Sequence, residues 1–353
     1  MRKSFYTLML LLLPLCAQAV IPDVKFRRLD TQNGLSNSQV LCALRDSKGF
    51  VWIGTAYGVN RYDGYRVKAF YSNKRDTTSM RDNYTDQVME AYDGKLWMKQ
   101  GMAYCIYDPV TESFERNVSK VLATYGIRGG AERVYIDKKK RFWVKVNSGG
   151  VYCYDPKNKK LILIASGYGK HQLNPTYGIS GMADFGDGIA MTTYQGEVVC
   201  LDAKTARVVR ESAWMREHGG QRNQDYRIYA DDHRNLWITS TGNTFVYIER
   251  DKKWYASIPE YLHARNVANA PMQLQTWDVK VDHRGWLWVA TDHDGVLVVD
   301  LKSHEMRQLL NNKLDLTTLS DNTTKNIYVD DKGSVWIGTY KNGINQYVEG
   351  MTP

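Results

Sequence analysis

Asp46-Ser47-Lys48-Gly49-Phe50-Val51-Trp52-Ile53-Gly54-Thr55, followed by Gly58-Val59-Asn60-Arg61-Tyr62-Asp63, returns almost intact near the far end of the chain. There it reads Asp330-Asp331-Lys332-Gly333-Ser334-Val335-Trp336-Ile337-Gly338-Thr339, followed by Gly343-Ile344-Asn345-Gln346-Tyr347. Weaker copies centre on Trp97, Trp143, Trp237 and Trp288, and a seventh keeps Asp184 and Thr193-Tyr194-Gln195-Gly196 but carries Ala190 in place of tryptophan. Measured at that position, the spacings are 45, 46, 47, 47, 51 and 48 residues, the length of one four-stranded propeller blade. Seven repeats predict an all-β fold, a single seven-bladed β-propeller.

Each repeat also reads physically as a blade. Val40 to Leu44 alternates as an inner strand, Asp46 to Gly49 is a turn whose Asp caps the bend and whose Gly takes a positive φ, and Val51 to Thr55 is a second strand covered on both faces. Val59 to Tyr62 and the more polar Val67 to Tyr71 complete it. The recurrent tryptophan fills the gap between stacked blades. Ala190 leaves that gap underfilled unless Met191 or Met182 compensates. Blade seven runs out at Tyr347, whereas Val24 to Leu29 has outer-strand character without a blade of its own. Pairing the two would close the ring and remove an open sheet edge.

The first residues read as an export signal. Arg2 and Lys3 precede an apolar run from Leu8 to Leu15 and the small-x-small site Ala17-Gln18-Ala19. The expected domains are therefore a signal peptide over residues 1–19 and the propeller over 20–353. A retained anchor and a lipoprotein are the rival readings. The run is short of the roughly 20 residues a spanning helix needs, and Leu15 precedes Cys16 where a lipoprotein signal wants a small residue. No later stretch is apolar enough to span a bilayer, so no membrane span is expected after cleavage. Loss of the signal lowers the formal charge from +9 to +7, with no basic run longer than Lys138 to Arg141. Nucleic acid is an unsuitable partner for such an exported surface, which reads first as a solvated face of mixed charge, with an acidic saccharide or an anionic membrane as the functional alternatives. Cys42, Cys105, Cys153 and Cys200 fall on strands of four different blades, which favours buried free thiols over two disulfides.

Asn33-Gly34-Leu35-Ser36-Asn37-Ser38-Gln39-Val40, together with Gly49 to Thr55 and Gly58 to Tyr65, resembles the opening of the N-terminal periplasmic sensor propeller of Bacteroides-type hybrid two-component histidine kinases, built of two-component regulator propeller repeats. The resemblance implies a periplasmic sensor of glycan breakdown products that drives an inner-membrane kinase. The sequence holds one propeller's worth of repeats, and neither the sandwich, the following transmembrane helix nor the kinase of that plan is expected in it. It is expected to be a sensing or binding module and not an enzyme.

No His-Glu-x-x-His, Cys-x-x-Cys or Gly-x-Ser-x-Gly occurs. Asp292-His293-Asp294-Gly295 reads as a polar turn before it reads as a metal site, and no cofactor or metal is expected. A propeller lyase would need a base in the central funnel, for which His293, Tyr177 and Tyr226 are the candidates. The residue eight before each Asp46-like position is Ser38, Asn83, Gly129, Thr176, Asn223, Leu274 or Asn322, a mostly polar ring about the channel. Tyr84, Tyr177, Tyr226 and Trp277 lie near the strand starts, and Tyr57, Tyr194 and Tyr340 in the second turns, with Lys341 and His293 available to an acidic group. Aromatic faces beside amides suit sugars. An oligosaccharide is thus the expected ligand; the alternative is docking to a full-length hybrid histidine kinase or another periplasmic protein. The long connection from Asp251 to Pro271 is expected on this same face as a lid or docking surface.

Overall fold

The computed structural model describes residues 21–147, 149–164, 178–205 and 207–350. They form seven four-stranded antiparallel sheets arranged as blades around a central channel. Blade one runs Val40–Arg45, Val51–Thr55, Gly58–Tyr62 and Val67–Phe70 from the channel outwards. Blades two to six follow the same order in sequence, with inner strands Gln87–Glu90, Ala131–Ile136, Ile179–Phe185, Arg227–Ala230 and Thr276–Val281. Blade seven takes Thr324–Val329, Val335–Thr339 and Ile344–Tyr347 from the C-terminal side and its outer strand, Arg27–Leu29, from the N-terminal side. The pairs are Arg27 with Gln346, Arg28 with Asn345 and Leu29 with Ile344. Ring closure is as the sequence suggested, over three residues rather than six, because Val24 and Phe26 instead drop into the apolar layer between blades six and seven.

The core is a series of layers, one between each pair of blades. Trp52, Trp97, Trp143, Trp237, Trp288 and Trp336 are each no more than 1% exposed and each sits in such a layer. Packing is only half of their role. In five of the six the indole Nε1 donates to the Asp six residues earlier: Asp46 at 2.8 Å, Asp137 at 2.9 Å, Asp231 at 3.2 Å, Asp282 at 2.9 Å and Asp330 at 3.2 Å. The other carboxylate oxygen takes the turn amides, as Asp46 does from Lys48 and Phe50. One side chain therefore ties the turn to the interblade layer. Blade two has Ala91 at that position and lacks the tie.

At Ala190, Met191 and Met182 are not the compensating residues, because they face the layer between blades three and four. The Ala190 face looks towards blade five, where Phe245, Tyr247, Tyr226 and Met215 fill the space. Asp184, left without an indole, accepts the Tyr135 hydroxyl at 2.6 Å and the Lys138 amide at 3.0 Å. Between blades one and two the stacking leaves no room for a side chain at Gly54 of the second strand: a Cβ there would lie 2.4 Å from the Thr85 carbonyl oxygen of the next blade.

Helices Val118–Thr124, Trp214–Glu217 and Ile258–Ala264 follow the outer strands of blades two, four and five. The connection after Asp251 is not a lid. It contains the outer strand Lys253–Tyr255 and then the third helix, whose Ile258, Tyr261 and Leu262 are buried in the layer between blades five and six. Arg265 at its end pairs with Asp251 at 2.6 Å. Among the described residues no helix is long and apolar enough to cross a membrane.

Cys42, Cys105, Cys153 and Cys200 are free thiols. Burial pushes the Cys105, Cys153 and Cys200 thiols up to about 12 and raises Cys42 as well. The reactive thiolate is therefore suppressed. All four should resist iodoacetamide in the folded protein at mildly alkaline pH and become alkylated in denaturant, as intact-mass measurement would show; rapid native labelling would mean that a blade opens.

Candidate functional site

The inner strands enclose a cavity of about 300 Å³ lined from all seven blades. Its walls are layered. Val88, Val134, Ile228, Val279 and Ile327 form an apolar belt. On one side of the belt stand Tyr135, Tyr229 and Tyr328, whose hydroxyls are tied to Asp184, the Val281 carbonyl and the Arg45 amide at 2.6, 3.2 and 2.9 Å. Burial pushes Tyr328 up to about 12 and raises Tyr135 and Tyr229 too, so these phenols stay neutral. On the other side lies a charged mouth comprising Asp86, Lys99, Arg133, Asp225, Arg227 and Asp278 with their neighbours.

The mouth is built by a repeated irregularity. Five inner strands begin with a β-bulge, the unpaired residue being Leu41, Glu132, Ser180, Trp277 or Lys325. A bulge re-aims the extra side chain. In adjacent blades six and seven this brings Trp277 and Lys325 together, the Lys325 ammonium standing 3.2 Å from the centre of the indole ring and 5.4 Å from that of Tyr340. Burial, opposed by Asp292 and reinforced by Arg227, lowers the Lys325 pKa. Arg133 reaches the Ile179 carbonyl at 3.3 Å, the Tyr194 hydroxyl at 3.0 Å and Asp225 at 3.2 Å. Arg227, at the equivalent position two blades on, donates to the Trp277 carbonyl.

The residues singled out in sequence fall into three groups. Trp277, Tyr194 and Tyr340 touch the cations of the mouth. Tyr84 is 41% exposed, and its pKa is raised by partial burial and by Asp86 while Arg227 opposes the rise, which places it in the same field. Ser38, Asn83, Asn223 and Asn322 instead stitch neighbouring blades through their backbones. The carbonyls of Ser38, Asn83 and Asn322 accept from Gly343, Gly58 and Gly295 at 2.9, 2.7 and 2.8 Å, and the Asn223 amide donates to Tyr194 at 2.7 Å. The side-chain oxygens of Asn83 and Asn322 are held by the Ser72 and Asn311 amides. Tyr226 is buried against blade four and gives its hydroxyl to the Gln221 carbonyl at 2.6 Å. His293 sits in the turn between the second and third strands of blade six at φ 72°, beside Asp292 at 3.1 Å, and Lys341 lies 5.9 Å from the Tyr340 ring centre. Tyr177 lies outside the described residues. Among those residues no group of three or more metal-ligating side chains converges.

Arg133, Asp225, Arg227 and Lys325 were not anticipated. Their signal was a charged side chain just before or near the start of an inner strand whose later members, such as Val134-Tyr135, Ile228-Tyr229 and Ile327-Tyr328, are apolar or aromatic.

Residues 34–57 and 318–341 match the model of the two component regulator propeller. These are the stretches that build the first two strands of blades one and seven. Two extracellular domains of hybrid two component systems from B. thetaiotaomicron superpose with TM-scores of 0.67 and 0.66 at 20% and 19% identity, covering 93% and 94% of this chain. The chain spans 42% and 40% of their lengths. A streptogramin B lyase superposes with a TM-score of 0.59 at 10% identity over 92% of this chain and 98% of its own. Histidine kinase P4 of Formosa agariphila is 36% identical over 55 residues, 16% of this chain and 4% of that protein.

Proposed function

We propose that this chain is an exported, periplasmic ligand-sensing propeller without catalysis of its own, and that it receives an oligosaccharide at the channel mouth. The observation that carries this reading is the mouth itself, where Trp277 and Tyr340 flank Lys325, and Tyr84 lies in the field of Asp86 and Arg227, beside an apolar belt. Sugars present apolar C–H faces to rings and hydroxyls to polar edges. The regulator propeller repeats and the likeness to extracellular sensor domains support the sensing role.

A ligand that binds only the folded state at a hundredfold excess over its Kd stabilises by about 2.7 kcal/mol. A selective rise of a few degrees in Tm is therefore expected when residues 20–353 meet their oligosaccharide in a panel of neutral and acidic sugars, and Trp277→Ala should abolish it. A flat response across the panel would reject sugar sensing in favour of the second reading, a scaffold docking to a full-length hybrid histidine kinase or another periplasmic protein. That reading draws on the chain's likeness to about two fifths of much larger extracellular domains. A lyase reading draws on fold likeness alone, and fold does not carry chemistry.

A further inference from the structure

The cations of the channel are not equally provided for. Lys99 has Asp86 at 2.6 Å, Arg133 has Asp225 at 3.2 Å, Lys145 has Glu132 at 3.5 Å and Lys280 has Asp278 at 2.8 Å. Arg227 and Lys325 alone among these wall and mouth cations form no ion pair with any described residue, although both converge on Trp277, one through its carbonyl and the other over its ring. The carboxylate that faces Lys325, Asp292, is engaged with His293 at 3.1 Å and forms no ion pair with the lysine. Two like charges held on one residue repel each other, and that arrangement is relieved by an anion between them.

A second observation points the same way. The indole Nε1 of Trp277 is buried without a hydrogen-bond partner, and so are one carboxylate oxygen of Asp86 and the side-chain oxygen of Asn326, both on the cavity wall. Asn326 is only 5% exposed. Buried polar atoms left open in a native fold ask for a partner. Here one donor beside Lys325 and two acceptors on the cavity wall match a molecule bearing both an anionic group and hydroxyls.

We propose that the ligand at this mouth is an acidic saccharide whose carboxylate or sulfate sits between Arg227 and Lys325, with its hydroxyls turned towards Asp86 and Asn326. The inference rests on the reading of the mouth as a sugar site and adds the ligand's charge.

The test uses saccharide pairs that differ only in charge, digalacturonate against its methyl ester and a sulfated chondroitin disaccharide against the desulfated, esterified form, titrated calorimetrically into residues 20–353. At least one charged member should bind, its neutral partner about tenfold more weakly or worse, as charge-assisted hydrogen bonds require, and the preference should shrink as sodium chloride is raised. Arg227→Gln and Lys325→Gln should each weaken the charged member by about tenfold and leave the neutral one unchanged, whereas Lys302→Gln, at an exposed position between the third and fourth strands of blade six, should change neither appreciably. Preference within the digalacturonate pair shows that a carboxylate is read; a preference confined to the chondroitin pair, whose charged member bears both anions, is assigned by the disaccharide that is desulfated but not esterified, which binds like the charged member if the carboxylate is read and like the neutral one if the sulfate is. Equal binding of charged and neutral partners would overturn the inference while sugar sensing stood, and it does so on the unmodified protein whatever the variants' stability. Binding of no saccharide in either pair or in the neutral panel would overturn both.

Discussion

Trp288→Ala lowers the unfolding free energy by about 3–5 kcal/mol, the range for emptying a buried aromatic site. The indole is fully buried between blades six and seven among Ile337, Val335, Val298 and Tyr347. Those neighbours are locked in two separate sheets, so the cavity has little means of collapsing. The loss has a second component. Asp282 has no exposed side-chain surface; it keeps Arg284 and the turn amides but loses the indole donor. Trp288→Phe separates the two effects: it restores much of the volume and none of the hydrogen bond, and should cost about 1–3 kcal/mol. Denaturant midpoints of the three proteins measure both. Equal losses for Ala and Phe would show that the Asp–indole bond, and not packing, dominates. The converse substitution, Ala190→Trp, should also destabilise by about 1–3 kcal/mol, since Phe245, Tyr226 and Met215 already occupy that layer.

A chain that starts at Asp30 should fail to form a stable ring. Ile21, Val24, Phe26 and Leu29 are between 1% and 8% exposed. Burial of each contributes about 1.5–3 kcal/mol, so their removal withdraws on the order of 10 kcal/mol, comparable with the whole stability of an ordinary domain. Arg28 also leaves, and with it the bonds to the carbonyls of Thr318, Asp315 and Leu319 at 3.1, 3.2 and 3.0 Å that hold the loop before blade seven. Ile344–Tyr347 then becomes a bare strand edge, ready to pair with another chain. Size-exclusion chromatography should find aggregates, and a synthetic peptide of residues 21–30 added during refolding should recover monomer. A truncated protein that stays monomeric with an unchanged Tm would show that blade seven holds without its borrowed strand. Phe26→Ala, which keeps the pairing, should be the milder lesion.

Both predictions concern features legible in the chain before any coordinates. The repeat told the number of blades, the alternation told the strand order, and a strand without a blade at one end answered a blade without a strand at the other. Such features are local: a turn Asp, a positive-φ Gly49 and a run like Val51–Thr55 fold the same way in each repeat because the same short-range sterics and hydrogen bonds act on them.

The site was less legible. Counting back to Ser38, Asn83, Asn223 and Asn322 found the residues that join one blade to the next, because the start of each inner strand must hydrogen-bond to the preceding blade's turn. The channel is lined a few positions further on, and bulges at Trp277 and Lys325 shift which side chain faces it. No periodicity within one repeat announces a bulge. Likewise the filler for Ala190 comes from the next blade and not from its own strand.

The amino-acid sequence by itself thus determined the blades, their number and the closure of the ring, since each is set by contacts within a repeat or by the one unpaired strand left over. Only the tertiary structure decided which charges meet at the mouth. Arg227, Trp277 and Lys325 belong to three different blades, and it is the angle at which seven stacked sheets close that makes them neighbours.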